Sequence, residues 1–194
     1  MARNTTGGDG NFHAVKFYES PESLCNIVAE FLGEGLSERQ LALAIVTPEH
    51  RDGILAELRA RQFDVDSLQT SGDLLLIDGA ELLASVMVDG MPDAALFTSA
   101  ATSAIEAVCR GRKVTIRAYG EMIDMLWKSG QDAAAIRLEL LWNKLATTND
   151  FDLLCGYSMG TFYKGADLSA IQRDHSQVVS PQGVFLPAPR PDLN

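Results

Sequence analysis

The chain has 194 residues, 46% of them hydrophobic, a formal net charge of −10 and a pI near 4.7. That length suits one globular domain with a core that buries roughly 70% of the unfolded surface. The acidity excludes direct binding to nucleic acid or to anionic membranes unless a basic patch is present.

The one basic cluster, Arg110-Gly111-Arg112-Lys113, reads as the solvated end of a helix, where cations also suit the helix dipole. No apolar run approaches the ~20 residues of a membrane span, and Met1–Gly8 has no apolar leader character. Cys25, Cys109 and Cys155 are widely spaced in apolar patterns, which fits reduced, buried thiols and a cytoplasmic location.

In chain order, residues 1–11 read as a disordered lead-in. His13–Tyr18 is the first strand. Ser20 and Pro21 then start a helix carrying Leu24, Ile27, Val28, Phe31 and Leu32, which Gly33 and Gly35 are expected to end. Leu41–Val46 is a second strand, and Thr47-Pro48 repeats the cap-and-proline device before a helix with Ile54, Leu55 and Leu58 on one face. Leu74–Ile77 is a third strand, and its continuous apolar run indicates burial on both faces, as in a parallel sheet.

Helices over Gly79–Val88 and Asp93–Cys109 precede a fourth strand, Val114–Tyr119. A short helix over Gly120–Lys128 and a longer one over Asp132–Thr147 follow. Ile136, Leu140, Leu141 and Leu145 are expected on the inner side of the longer helix, and Trp127 and Trp142 to dock the pair on the sheet. Leu153–Tyr157 is a fifth strand, and a last helical turn is placed at Asp167–Asp174. The reading is one domain over residues 12–180 with a proline-rich tail over residues 181–194. This alternation gives an α/β fold: a three-layer α/β/α sandwich around a mostly parallel sheet of five or more strands.

In such sheets ligands bind beyond the carboxyl ends of the strands. Tyr18 and Glu19 fall there, as do Thr47, Asp78, Tyr119, Glu121, Tyr157 and Ser158. Aromatic walls with hydrogen-bonding groups make this rim the expected ligand site. Each member also has a structural reading: Glu19 and Glu121 suit a helix first turn, Asp78 an Asp-Gly turn, and the tyrosines a core. The bend Glu19-Ser20-Pro21-Glu22-Ser23 has no glycine, no lysine and two carboxylates. It lacks what a phosphate loop needs.

His13, His50 and His175 show no metal-ligand spacing, so neither a metal site nor a cofactor is expected. Gly156-Tyr157-Ser158-Met159-Gly160 fits the pattern of a nucleophile elbow after a strand. In the order serine, carboxylate, histidine that such a fold needs, only Asp167, Asp174 and His175 follow it, all near the end of the sequence, so no catalytic residue is assigned.

Five segments occur together in order: His13-Ala-Val-Lys-Phe-Tyr-Glu19, Thr47-Pro-Glu-His50, Tyr119-Gly-Glu-Met122 with Leu126-Trp127, Leu138–Asn143, and Leu153-Leu-Cys-Gly-Tyr157. Together they resemble the MEDS domain, a sensory domain of methanogens, methylotrophs and the dichloromethane-response repressor. The resemblance covers about residues 12–180. It implies a RecA/KaiC-like P-loop fold with a degenerate phosphate loop and a sensory role toward hydrocarbon derivatives, and it supplies no catalytic residues.

The expected function is therefore a non-catalytic sensory module that binds a small molecule at the strand ends. Its output passes through a separate kinase or transcription regulator, or through self-association, without direct contact to nucleic acid or membrane. Two alternatives stand beside it. One is a residual nucleotide binder or weak NTPase of the KaiC type, and the other is a protein-interaction adaptor with no ligand.

Overall fold

The computed structural model describes residues 13–146, 151–158, 177–179 and 185–187. Seven strands form the main sheet in the order β3-β2-β6-β7-β1-β8-β9. They are β1 His13–Tyr18, β2 Leu41–Val46, β3 Leu74–Asp78, β6 Ile116–Gly120, β7 Phe151–Ser158, β8 Gln177–Val179 and β9 Phe185–Pro187. Every pairing in it is parallel except β8 with β9. A separate hairpin joins β4 Met87–Val88 to β5 Met91–Pro92. The sheet thus takes in Phe185–Pro187, a segment whose prolines read as tail; the other side of the β8–β9 pair is a sheet edge, where proline is tolerated.

Helices cover both faces. On one face lie α1 Pro21–Ser37, α2 Pro48–Ala60 and α3 Val65–Ser71, packed on Ala14, Tyr18, Ala42, Ala44, Val46, Tyr119 and Leu154. On the other lie α4 Gly79–Val86, α5 Ala94–Cys109, α6 Met122–Lys128 and α7 Asp132–Ala146. These pack on Val15, Leu43, Ile45, Ile116, Leu153, Cys155 and Tyr157. The two residue sets alternate along each strand, as side chains of a pleated sheet must. All six residues of β2 are buried, whereas in the run expected to be buried on both faces, Leu74–Ile77, only Leu74 is fully buried, because β3 stands at the edge of the sheet.

Local chemistry sets the boundaries. Ser20 caps α1 by accepting from the Ser23 amide, with Pro21 at the first turn. Gly33 and Gly35 do not end α1, which continues to Ser37. They sit at close approaches instead. A Cβ at Gly33 would come within 2.9 Å of the Phe63 ring, and one at Gly35 within 2.8 Å of the Arg117 side chain.

The fourth helix is shorter than expected. Asp89 and Gly90 both take positive φ, at 49° and 76°. That conformation suits the tight turn of a two-residue hairpin, so Met87–Val88 leave the helix and pair as β4. Helix α3 is absent from the sequence reading; Asp64 caps it through the Ser67 amide at 3.1 Å. Arg112 closes α5 by donating to the carbonyls of Val108 and Cys109, so the basic cluster is a helix end as its composition suggests.

The inner face of α7 also differs from expectation. Ile136 and Leu140 are 52% and 58% exposed, whereas Ala134, Ala135, Leu138, Glu139, Trp142 and Leu145 are buried. The helix is rotated so that Glu139 points at the sheet and meets the Tyr157 hydroxyl. Trp142 is set edge-on between Phe97 and Phe151, with ring centroids at 5.0 and 6.4 Å, and Trp127 packs beside the same core. The segments 1–11 and Asp167–Asp174, with His175 and Gly160, lie outside the described residues.

Candidate functional site

The parallel pairings align the carboxyl ends of β2, β6, β7 and β1, and buried polar side chains gather there. Glu121 follows β6 directly and is 2% exposed. One carboxylate oxygen accepts from the backbone N–H of Thr47, at the end of β2, and the other from Nδ1 of His50, in the first turn of α2. The Tyr119 hydroxyl lies 3.5 Å from that second oxygen. Asp124, one helical turn after Glu121 and 1% exposed, accepts from the Tyr18 hydroxyl at 2.7 Å and from the Ser158 amide at 2.8 Å. Lys128, a turn further on, reaches back to Asp124 at 2.8 Å and to the Tyr18 hydroxyl at 2.9 Å. The Tyr18 and His50 rings meet edge to face at 6.0 Å, which joins the two halves of the network.

Electrostatics follow from this geometry. His50 is held above its usual range chiefly by its hydrogen bond to Glu121, against the opposing effect of burial. Burial and the neighbouring Asp124 push the Tyr18 phenol far up, so it stays a donor. Tyr119 is likewise raised by burial and then by Glu121. The two buried carboxylates, Glu121 and Asp124, each have hydrogen-bond donors: Thr47 N–H and the His50 ring for one, Tyr18, Ser158 N–H and Lys128 for the other. Unpaired buried charges would be far more costly.

Of the residues expected at this rim, Tyr18, Tyr119 and Glu121 come together. Thr47 and Ser158 take part through their backbone N–H groups, and the Thr47 hydroxyl makes no cap bond to α2. Three others do not join. Asp78 uses its carboxylate to cap α4, accepting from the amides of Ala80 and Glu81. Glu19 is exposed at the β1–α1 junction. Tyr157 points to the opposite face because side chains alternate along β7, and its hydroxyl donates to Glu139.

The sequence reading missed His50, Asp124 and Lys128. A signal exists for each: His50 is one turn past Thr47, Asp124 one turn past Glu121, and Lys128 stands four residues from Asp124. Gly156 is also part of the design. A Cβ there would come within 2.6 Å of the Tyr119 hydroxyl, so the missing side chain makes room for that phenol.

A second polar cluster lies between β1, β7 and α7. His13 places Nε2 3.1 Å from the Cys155 sulfur and 3.5 Å from Glu139. Its Nδ1 meets Asn143 at 2.7 Å. His13, Cys155 and Glu139 are the residues that could hold a metal ion among those described. Cys25, Cys109 and Cys155 are all free thiols, and burial pushes Cys25 up to about 11. An open depression of about 410 Å³ lies at the opposite, amino end of β6, lined by Ile105, Arg112, Lys113, Ile116 and Phe151. No described helix is long and apolar enough to cross a membrane.

The architecture is similar to that of a KaiC-like protein from the hyperthermophilic archaeon Pyrococcus horikoshii OT3. The TM-score is 0.57 at 12% sequence identity, covering 86% of this chain and 70% of that one. At that identity the likeness establishes a RecA/KaiC-type fold. None of the curated proteins matches the chain. The family model for the MEthanogen/methylotroph, DcmR Sensory domain matches residues 12–175. That span takes in β1 through β7 and both polar clusters, and the chain belongs to the MEDS family of sensory domains.

Proposed function

We propose that this domain is a non-catalytic sensor. It takes a small organic molecule at the carboxyl ends of β1, β2, β6 and β7 and signals through a separate kinase or transcription regulator, or through self-association. The observation that carries this reading is the Glu121–His50 and Asp124–Tyr18–Lys128 network, standing at the carboxyl ends of the strands, where open parallel sheets bind their ligands.

The β1–α1 junction is only Glu19 and Ser20. A phosphate loop runs to about eight residues with glycines and a lysine. Here the Ser20 hydroxyl already occupies the Ser23 amide, and Glu22 adds negative charge to the first turn of α1. Both features oppose a polyphosphate. Lys128, which reaches the Tyr18 hydroxyl at the end of β1, is paired with Asp124.

The same network suits a hydroxyl, carbonyl or amine on a short carbon chain. Tyr18 and Lys128 donate, Asp124 and Glu121 accept, and the edges of the Tyr18 and His50 rings supply apolar contact. A ligand that replaces one internal partner favours whichever arrangement of α2 and α6 fits it, and that differential affinity is the signal. A family defined by sensory domains of methanogens and methylotrophs supports hydrocarbon derivatives as the class. The free thiols support a reducing, cytoplasmic setting.

The likeness to a KaiC-like protein favours one other reading, residual nucleotide binding with weak NTPase activity. Thermal unfolding of the full chain separates the two. The panel is Mg-ATP against short alcohols, aldehydes, amines and halogenated hydrocarbons. The sensor reading expects stabilisation by a member of the organic set, about 2.7 kcal/mol at a hundredfold excess over Kd, and loss of it in Tyr18→Phe or Glu121→Gln. Stabilisation by Mg-ATP alone supports the nucleotide reading. No response to any compound supports an adaptor without ligand.

A further inference from the structure

We propose that His13, Cys155 and Glu139 form a site for one divalent transition metal ion, zinc by preference, between β1, β7 and α7. The three residues offer an imidazole nitrogen, a thiol sulfur and a carboxylate oxygen, and these atoms all lie within 4.8 Å of one another. They are 7%, 2% and 4% exposed. Tetrahedral zinc with bonds of about 2.0–2.3 Å keeps its ligand atoms roughly 3.3–3.8 Å apart. The 3.5 Å from Nε2 to the carboxylate lies in that range, and the 3.1 Å from Nε2 to sulfur falls just short of it.

The surroundings are those of a ligand set. Asn143 faces His13 Nδ1 through its side-chain oxygen, which places the ring proton on Nδ1 and the Nε2 lone pair toward Cys155. The Tyr157 hydroxyl donates to one oxygen of Glu139 and holds that carboxylate in place. Two of the three first ligands thus have an orienting partner, the arrangement that fixes metal-binding histidines and carboxylates.

Glu139 turns inward from α7 beside His13 and Tyr157 and leaves Ile136 and Leu140 exposed, which brings its carboxylate within reach of the imidazole and the thiol. Thiolate and imidazole donors select zinc or a neighbouring first-row ion over magnesium or calcium. Three protein donors leave the fourth tetrahedral position for water or another oxygen ligand. On binding, the sulfur–hydrogen bond of Cys155 is exchanged for a sulfur–metal bond, the proton passes to buffer and no oxidation state changes. The site faces α7, across the sheet from α1 and α2, and stands independently of the sensor reading.

The test uses the full chain, stripped with a chelator and titrated with cobalt chloride. Expected is saturation at one cobalt per chain, with a near-ultraviolet thiolate-to-cobalt charge-transfer band and tetrahedral visible bands that zinc abolishes. Cys155→Ser should remove the charge-transfer band, while a Cys25→Ser/Cys109→Ser double variant keeps it. Asn143→Ala, half-exposed and in contact with the ion only through His13, should weaken binding roughly tenfold to a hundredfold with the band retained. A folded wild-type chain without the band overturns the proposal. So does a band that survives Cys155→Ser or disappears in the double variant. Should Cys155→Ser fail to fold, the wild-type titration and the double variant still decide.

Discussion

The Tyr18 hydroxyl donates to Asp124 at 2.7 Å and ties the end of β1 to the helix that follows β6. Asp124 also receives the Ser158 amide from β7 and the ammonium of Lys128. One buried carboxylate therefore clasps two neighbouring strands and a helix. Asp124→Ala leaves a phenol and a backbone N–H without their acceptor. The expected loss is about 3 kcal/mol, read as a lower midpoint in urea with an unchanged slope. A loss under about 0.5 kcal/mol, the level of ordinary surface changes, would remove Asp124 from this role.

Gly156 and Tyr119 make a tighter test of the same region. An alanine at 156 would set its Cβ 2.6 Å from the Tyr119 hydroxyl and 3.1 Å from a Leu24 methyl. Overpacking of this kind costs about 1–3 kcal/mol. Removing the hydroxyl relieves the nearest clash, so Gly156→Ala should cost less in a Tyr119→Phe background than alone. Strict additivity in a double-mutant cycle would contradict the contact.

Stability should depend on pH through His50. Its value in the fold lies above the ordinary 6.5, chiefly because Glu121 accepts from Nδ1. A group raised on folding binds more protons in the native state, so its contribution is complete below 6.5 and declines as pH rises through the folded value. The stability difference between wild type and His50→Gln should accordingly be largest below pH 6.5 and shrink above it. A difference that grows with pH would reverse the assignment. The His50 ring signal in a proton NMR titration reports the same shift directly.

The orientation of α7 separates two faces of one helix. Leu138 is fully buried, and Leu138→Ala should cost about 2–5 kcal/mol. Ile136→Lys and Leu140→Lys, at exposed positions, should each stay within about 0.5 kcal/mol of wild type. A large loss for either lysine variant would mean that this apolar strip is covered.

Much of this could be read from residues alone, for definite reasons. The strands β1, β2, β3 and β7 are apolar runs between turn or cap residues, and period and punctuation locate them. Tyr18 and the Tyr119–Glu121 segment fall at strand ends, where a parallel sheet collects its ligands. What could not be read depended on partners distant in sequence. Apolar spacing on α7 favoured Ile136 and Leu140, but the burial of Glu139 against Tyr157 turned the helix. Tyr157 was placed at the rim by position, although alternation along β7 sends it to the other face from Gly156. His50 showed no ligand spacing because its partner, Glu121, is 71 residues away.

The central claim is that internal charge pairs have taken over the ground a phosphate loop would need. Amide NMR of the full chain titrated with Mg-ATP tests it most directly. The account predicts no saturable shift at the amides of Glu19, Ser20, Glu22, Ser23 and Leu24 at millimolar nucleotide. Saturable shifts at those amides would contradict it.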